Sequence, residues 1–101
     1  MTWKVELSLE ADRELSKLDP QQARRILKFL LERVANLDNP RSIGAALQGS
    51  RLGEFWKYRV GDYRLISKIE DSRLLVLVLR IGHRGEIYRQ RLERWKPAPQ
   101  E

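Results

Sequence analysis

The stretch Phe55-Trp56-Lys57-Tyr58-Arg59-Val60-Gly61-Asp62-Tyr63-Arg64-Leu65-Ile66 constrains the fold more than any other part of the chain. Gly61-Asp62 is a two-residue turn of the Gly-X kind between runs of strand-forming residues, and it predicts a tight β-hairpin. Side chains alternate along a strand. Trp56, Tyr58 and Val60 therefore share one face, and Lys57 and Arg59 share the other. A hairpin with an apolar face must bury it against a second layer. The opposite face carries cations side by side on a rigid element, with Arg64 just past the turn. That is the outline of a preorganised anion site.

The second layer is legible upstream. Residues 2–8 alternate, Trp3, Val5 and Leu7 against Lys4 and Glu6, and predict a short half-buried strand. Ser8 can cap a first helix whose positive end holds Glu10 and Asp12 and whose apolar stripe is Ala11, Leu15 and Leu18. Asp19-Pro20-Gln21-Gln22 starts a second helix, with Asp19 as N-cap, Pro20 in the first turn and Gln22 completing a capping box. Its stripe is Ala23, Ile26, Leu27, Leu30, Leu31 and Val34. The two helices form a hairpin with a very short connection, and the sheet is the only surface on which they can pack.

Asn39-Pro40 closes the helical region, and residues 38–54 read as irregular, with Leu47 and Leu52 pinning them to the core. Strands are expected over 55–60, 63–69 and 74–81. Residues 74–79 are apolar throughout, as for an interior strand covered on both faces. Arg80-Ile81-Gly82-His83-Arg84-Gly85 is expected to leave the sheet, and Ile87, Leu92 and Trp95 suggest a short terminal helix before Pro97 and Pro99. The expected fold class is α+β: a two-helix hairpin packed on a small, mainly antiparallel β-sheet in the order β-α-α-β-β-β, with a short C-terminal helix. At 101 residues there is room for one modest core, assigned to residues 1–96, followed by a short Pro-containing tail over 97–101.

Charge is distributed unevenly. Residues 1–50 hold eight Lys/Arg against seven Asp/Glu, whereas residues 51–96 hold twelve against six. The excess lies in the half that contains the hairpin. It is either a solvated basic surface or the footprint of a polyanion, nucleic acid before membrane. No apolar run approaches the ~18 residues of a membrane span. Met1-Thr2-Trp3-Lys4 leads directly into the alternating pattern, without a signal-peptide core. The expectation is a soluble, cytoplasmic protein without membrane partners.

Several chemistries are excluded by residue content. There are no cysteines and one histidine, so Cys–His dyads are impossible and His83 lacks the partners of an ordinary metal site. Gly49-Ser50-Arg51-Leu52-Gly53 is not a phosphate loop, because it precedes no helix and lacks the Lys-Ser/Thr ending. No cofactor or metal is expected. What remains is Lys57, Arg59, Arg64 and Arg84 with Tyr88. Taken singly, each has a plainer reading: a cation on an outer hairpin face is usually solvated, Tyr88 packs a helix, and His83 is a loop residue. Trp56 and Tyr58 read as core rather than as base-stacking platforms. Taken together, four cations and a phenol suit RNA cleavage by the substrate's own 2′-hydroxyl, where the protein need supply no nucleophile. It must align the 2′-oxygen, stabilise charge on the phosphorane and help move two protons. A lysine serves as base only where neighbouring charge or burial lowers its pKa, and Lys57 among arginines has such neighbours.

The run Leu47-Gln48-Gly49, then Gly53-Glu54-Phe55-Trp56-Lys57-Tyr58-Arg59-Val60-Gly61-Asp62-Tyr63-Arg64, then Gly82-His83-Arg84-Gly85-Glu86-Ile87-Tyr88, resembles the RelE family within the RelE/ParE superfamily of toxins. The likeness spans essentially the whole chain, since the order of elements also matches. It implies a metal-independent, ribosome-dependent mRNA endoribonuclease that cuts in the A site and leaves a 2′,3′-cyclic phosphate. It implies a RelB-like antitoxin as partner, with operator DNA reached only through the antitoxin complex. By position, the resemblance gives Lys57 the part of general base, Arg59 that of a second transition-state cation and Arg64 that of a phosphate contact. Arg84 would assist the leaving group, and Tyr88 would orient or stack on the substrate. Arg59 stands where some members carry lysine, and arginine is a far poorer proton carrier. The stretch from Arg84 to Tyr88 is also shorter than in some members. Two other roles are compatible with the fold: a ParE-like inhibitor of DNA gyrase, and a catalytically silent protein that binds antitoxin and operator.

Overall fold

Ser8 ends the first strand and begins the first helix in one step. Its Oγ accepts the Ala11 amide at 3.0 Å and donates to the Leu79 carbonyl at 2.9 Å. The helix cap is thereby stitched to the strand that lies beside the first in the sheet. The structure is a computed structural model and describes residues 2–47 and 54–84. In chain order it contains β1 (Lys4–Leu7), α1 (Leu9–Ser16), α2 (Pro20–Lys28), β2 (Ala45–Ala46), β3 (Phe55–Val60), β4 (Tyr63–Glu70) and β5 (Leu75–His83).

The strands form one five-stranded sheet in the order β1-β5-β4-β3-β2. β1 runs parallel to β5, and the other pairings are antiparallel. The fold class is the expected α+β. β5 lies inside the sheet, between β1 and β4, as its unbroken apolar run requires. Two expectations are corrected. Residues 45–46 are not irregular but pair with β3, Ala45 opposite Lys57 and Ala46 opposite Trp56. β5 does not leave the sheet at Arg80: Gly82 pairs with Arg64 and His83 with Tyr63. A bulge makes this possible. Opposite Ile66/Ser67 the register passes from Arg80 to Val78, so Leu79 is the extra residue.

One face of the sheet carries the main core. Tyr58, Val60, Leu65, Val76, Val78 and Ile81 meet Ala11, Leu15, Ile26, Leu30 and Val34 of the helical layer. On the other face, Phe55, Ile66 and Leu79 form a smaller cluster with Leu47 and Leu77 beside it. The second helix departs from its expected phase. After Lys28 it continues as a π-helical turn, Phe29–Val34. A wider turn rotates later side chains backwards relative to an α-helix. Leu30 and Val34 remain buried, Phe29 meets Tyr58 edge-on at 5.9 Å, and Leu31 is 57 % exposed. Asp19 holds the N-cap position, but its side chain makes no cap bond.

Three aromatic side chains secure the segment between α2 and β2. Trp3 Nε1 donates to the Asp38 carbonyl at 3.3 Å, Tyr58 Oη to the Pro40 carbonyl at 2.6 Å and Trp56 Nε1 to the Ile43 carbonyl at 2.7 Å. A two-pronged Arg41–Asp71 contact, at 2.8 and 3.0 Å, ties the same segment to the β4–β5 turn. The expected terminal helix, residues 97–101 and Leu52 lie outside the described residues. No helix among the described residues is long and apolar enough to cross a membrane.

Candidate functional site

The hairpin turn sets the geometry of the cationic face. Gly61 has φ +58°, and Asp62 does not share a positive φ, which is the type II′ pattern that a leading glycine allows. With this turn Arg59 lies directly opposite Arg64, and Lys57 opposite Ile66. Like charges directly opposite each other on a sheet are destabilising. The hairpin therefore accepts an electrostatic cost at its mouth that an anion would relieve.

These cations open onto a hollow. A cleft of about 610 Å³ is lined by Lys57, Arg59 and Arg64, by Phe29 and Arg33 of the π turn, by Tyr58, and by Ile43, Gly44 and Ala45. Among the described residues, β2 pairs only with Trp56 and Lys57, which leaves the edge of β3 unpaired there from Tyr58 onward. Gly44 makes the close approach at the β2 end. Its φ is +83°, and a Cβ there would lie 2.5 Å from the Lys57 carbonyl oxygen. Only glycine permits this conformation and this distance together.

Within the cleft Lys57 is half-buried and Arg59 exposed. Arg64 Nη1 donates to the Gly61 and Tyr63 carbonyls, both at 3.1 Å, so its guanidinium is partly oriented by the turn itself. Tyr58 is fully buried. Burial pushes its phenol well above the ordinary value, against the weaker opposing pull of the Arg41 guanidinium. Tyr58 thus contributes a neutral wall, in keeping with its reading as core.

Three of the sequence-derived site residues, Lys57, Arg59 and Arg64, thus line one cleft. Arg84 is exposed and is not among the lining residues, but its backbone N–H donates to the Asp62 carbonyl at 2.8 Å, which holds it beside the same turn. His83 is exposed and meets Tyr63 edge-on at 5.7 Å. Tyr88 lies outside the described residues. Arg33 was missed from the sequence. The sequence groups it with the solvent-facing residues of the second helix, yet in the structure it lines the cleft beside Phe29.

Comparison with known proteins gives this arrangement a family. Residues 5–88 match the model of the ParE toxin of the type II toxin–antitoxin system parDE. Toxin RelG of Mycobacterium tuberculosis is 32 % identical over 90 residues, which is 89 % of this chain and all of that protein. The chain belongs to the RelE/ParE superfamily of type II toxin–antitoxin toxins. Solved structures of RelE toxins have the same fold. The toxin–antitoxin complex RelBE2 of M. tuberculosis matches with a TM-score of 0.72 at 28 % identity, over 85 % of this chain and 95 % of that one. A free mutant of the E. coli toxin RelE matches with a TM-score of 0.70 at 24 % identity, over 93 % and 98 % respectively. In this RelE/ParE chain the cationic cleft lies beside the β3–β4 hairpin of that sheet.

Proposed function

We propose that this toxin is a ribosome-dependent mRNA endoribonuclease, held in check in the cytoplasm by a cognate RelB-like antitoxin. The observation that carries the reading is the opposed Arg59–Arg64 pair at the mouth of a cleft that also holds Lys57. Solved relatives captured with RelB antitoxins support the partner. In the proposed reaction the 2′-oxygen of one nucleotide attacks the adjacent phosphorus. The 5′-oxygen of the next nucleotide leaves with a proton, giving a 2′,3′-cyclic phosphate and a 5′-hydroxyl. Lys57 takes the 2′-hydroxyl proton or stabilises the forming charge. Arg59 and Arg64 contact the non-bridging oxygens, where arginine's planar fork suits two-pronged contact. Arg84 faces the leaving group, and Tyr88 orients the base. No metal is needed in this scheme, because the nucleophile belongs to the substrate and the cations carry the charge.

The test is single-turnover cleavage on programmed ribosomes. Arg64→Ala or Arg84→Ala is expected to lower the rate by about 10²–10³ with the fold intact, the usual scale for one charge-stabilising donor. Absence of cleavage by the wild-type protein would remove this reading. The ParE description of the matching family model favours a second reading, inhibition of DNA gyrase by protein contact. Mapping mRNA 5′ ends by primer extension after induction separates the two. New ends support cleavage, whereas unchanged ends with inhibited supercoiling support the gyrase role.

A further inference from the structure

The cleft does not end at Arg59. A second hollow of about 480 Å³ opens between the second helix and the hairpin turn. Phe29, Arg33 and Arg59 line both hollows, so the two form one trough around the open edge of β3. The second hollow carries four cations, Arg25, Lys28, Arg33 and Arg59, against one carboxylate, Glu32. Arg25 lies directly on the turn: a Cβ on Gly61 would be 2.9 Å from its Nη1. Elsewhere Arg41, Lys68, Arg73 and Arg80 each meet a carboxylate. Among the described residues, none of the four trough cations forms an ion pair.

We infer that this second hollow holds a further phosphate of the strand whose scissile phosphate occupies the first. Arg25, Lys28 and Arg33 are then positioning residues for single-stranded RNA. The inference rests on the ribonuclease reading above. Two features favour a phosphodiester strand over an isolated anion. The cations continue along a trough instead of converging on one point, and Phe29 gives both hollows an apolar wall against which a base can rest. Holding a flanking phosphate adds binding energy that the strand keeps equally in the ground and transition states.

The test pairs two measurements on the full-length protein. The first is fluorescence anisotropy with a short single-stranded RNA made uncleavable by 2′-O-methylation. The second is single-turnover cleavage on programmed ribosomes. For Arg25→Ala/Arg33→Ala, RNA affinity is expected to fall about tenfold, and the slope of log affinity against log salt to flatten by about 0.7 for each phosphate that is no longer neutralised. On ribosomes the half-saturating toxin concentration is expected to rise about tenfold, and for Arg25→Ala alone, which lies outside the first hollow, the limiting rate is expected to stay within about twofold. Arg25→Lys/Arg33→Lys should recover most of the loss, which a merely structural role would not predict. Arg13→Ala, an exposed cation of α1 outside the trough, should match wild type. Unchanged RNA affinity and salt slope in the double alanine variant overturn the inference. So does an effect seen on ribosomes but not with the free RNA, which would assign these cations to ribosomal RNA. Wild-type protein that binds the methylated RNA but gives no cleavage of unmodified message on programmed ribosomes overturns the ribonuclease reading and leaves the trough standing.

Discussion

At the scale of single residues, Tyr58 shows how a neutral group is held beside a cationic cleft. Its phenol is buried and donates to the Pro40 carbonyl. A phenol whose folded pKa is raised contributes stability that is fully present below its unfolded pKa of roughly 10 and is lost as pH rises beyond that value. Tyr58→Phe should therefore cost about 1–2 kcal/mol at neutral pH through the missing hydrogen bond. The stability gap between wild type and variant should then narrow above pH ~10 in denaturant titrations. A gap that widens there would contradict the burial argument. The pairing of Arg59 with Arg64 was readable in the sequence, because a two-residue turn fixes the register and strand alternation does the rest. Arg25 and Arg33 were not readable as part of the same surface. Their placement depends on how a helix docks, which alternation in a strand does not report.

At the scale of elements, the π turn and the two positive-φ glycines shape the trough. Leu31, which the sequence places in the apolar stripe, is exposed, whereas Phe29, three residues after buried Ile26, packs on Tyr58. Leu30→Ala is expected to cost about 2–5 kcal/mol as a core cavity. Leu31→Ala should stay within about 0.5 kcal/mol, and comparable losses at both positions in thermal denaturation would mean that Leu31 is packed as Leu30 is. Gly44→Ala must place a Cβ against the Lys57 carbonyl in a backbone region unfavourable to L-residues. A loss of about 2 kcal/mol or more is expected, with amide exchange quickening at Ala45 and Ala46. The element order was legible because the strand and helix periods differ so clearly. β2 was not, since two alanines carry no alternation, and the bulge at Leu79 was hidden inside a run apolar at every position.

At the scale of the whole molecule, one carboxylate closes the sheet where β1 runs out. β1 pairs with β5 only as far as Val78. Beyond it, Glu14 of α1 accepts the Ile81 amide at 2.8 Å and grips the Arg80 guanidinium from two sides, its shortest contact being 2.7 Å. Arg80 is only 9 % exposed. Arg80 keeps a longer contact with Glu10 at 3.8 Å, so Glu14→Ala should cost about 1.5–3 kcal/mol, the scale of hydrogen bonds to a charged group, measured by chemical denaturation, with the Ile81 amide losing protection. A cost below about 1 kcal/mol would mean that the contact is only a surface pair. The same clamp holds the end of β5 that leads into Arg84, so the sheet's outer edge and the cationic face are mechanically joined.

The stitch between Ser8 and Leu79, 71 residues apart, has a consequence for synthesis. A chain emerging from the ribosome can form both helices and the β3–β4 hairpin early, because their contacts are local. It cannot close the sheet until β5 has been made and freed, and long-range pairings of this kind form slowly. Until then the helical layer has no complete floor to dock on, and Arg33 has no fixed relation to Lys57. The nascent chain therefore acquires its cleft only after β5 has been made and has paired with β4.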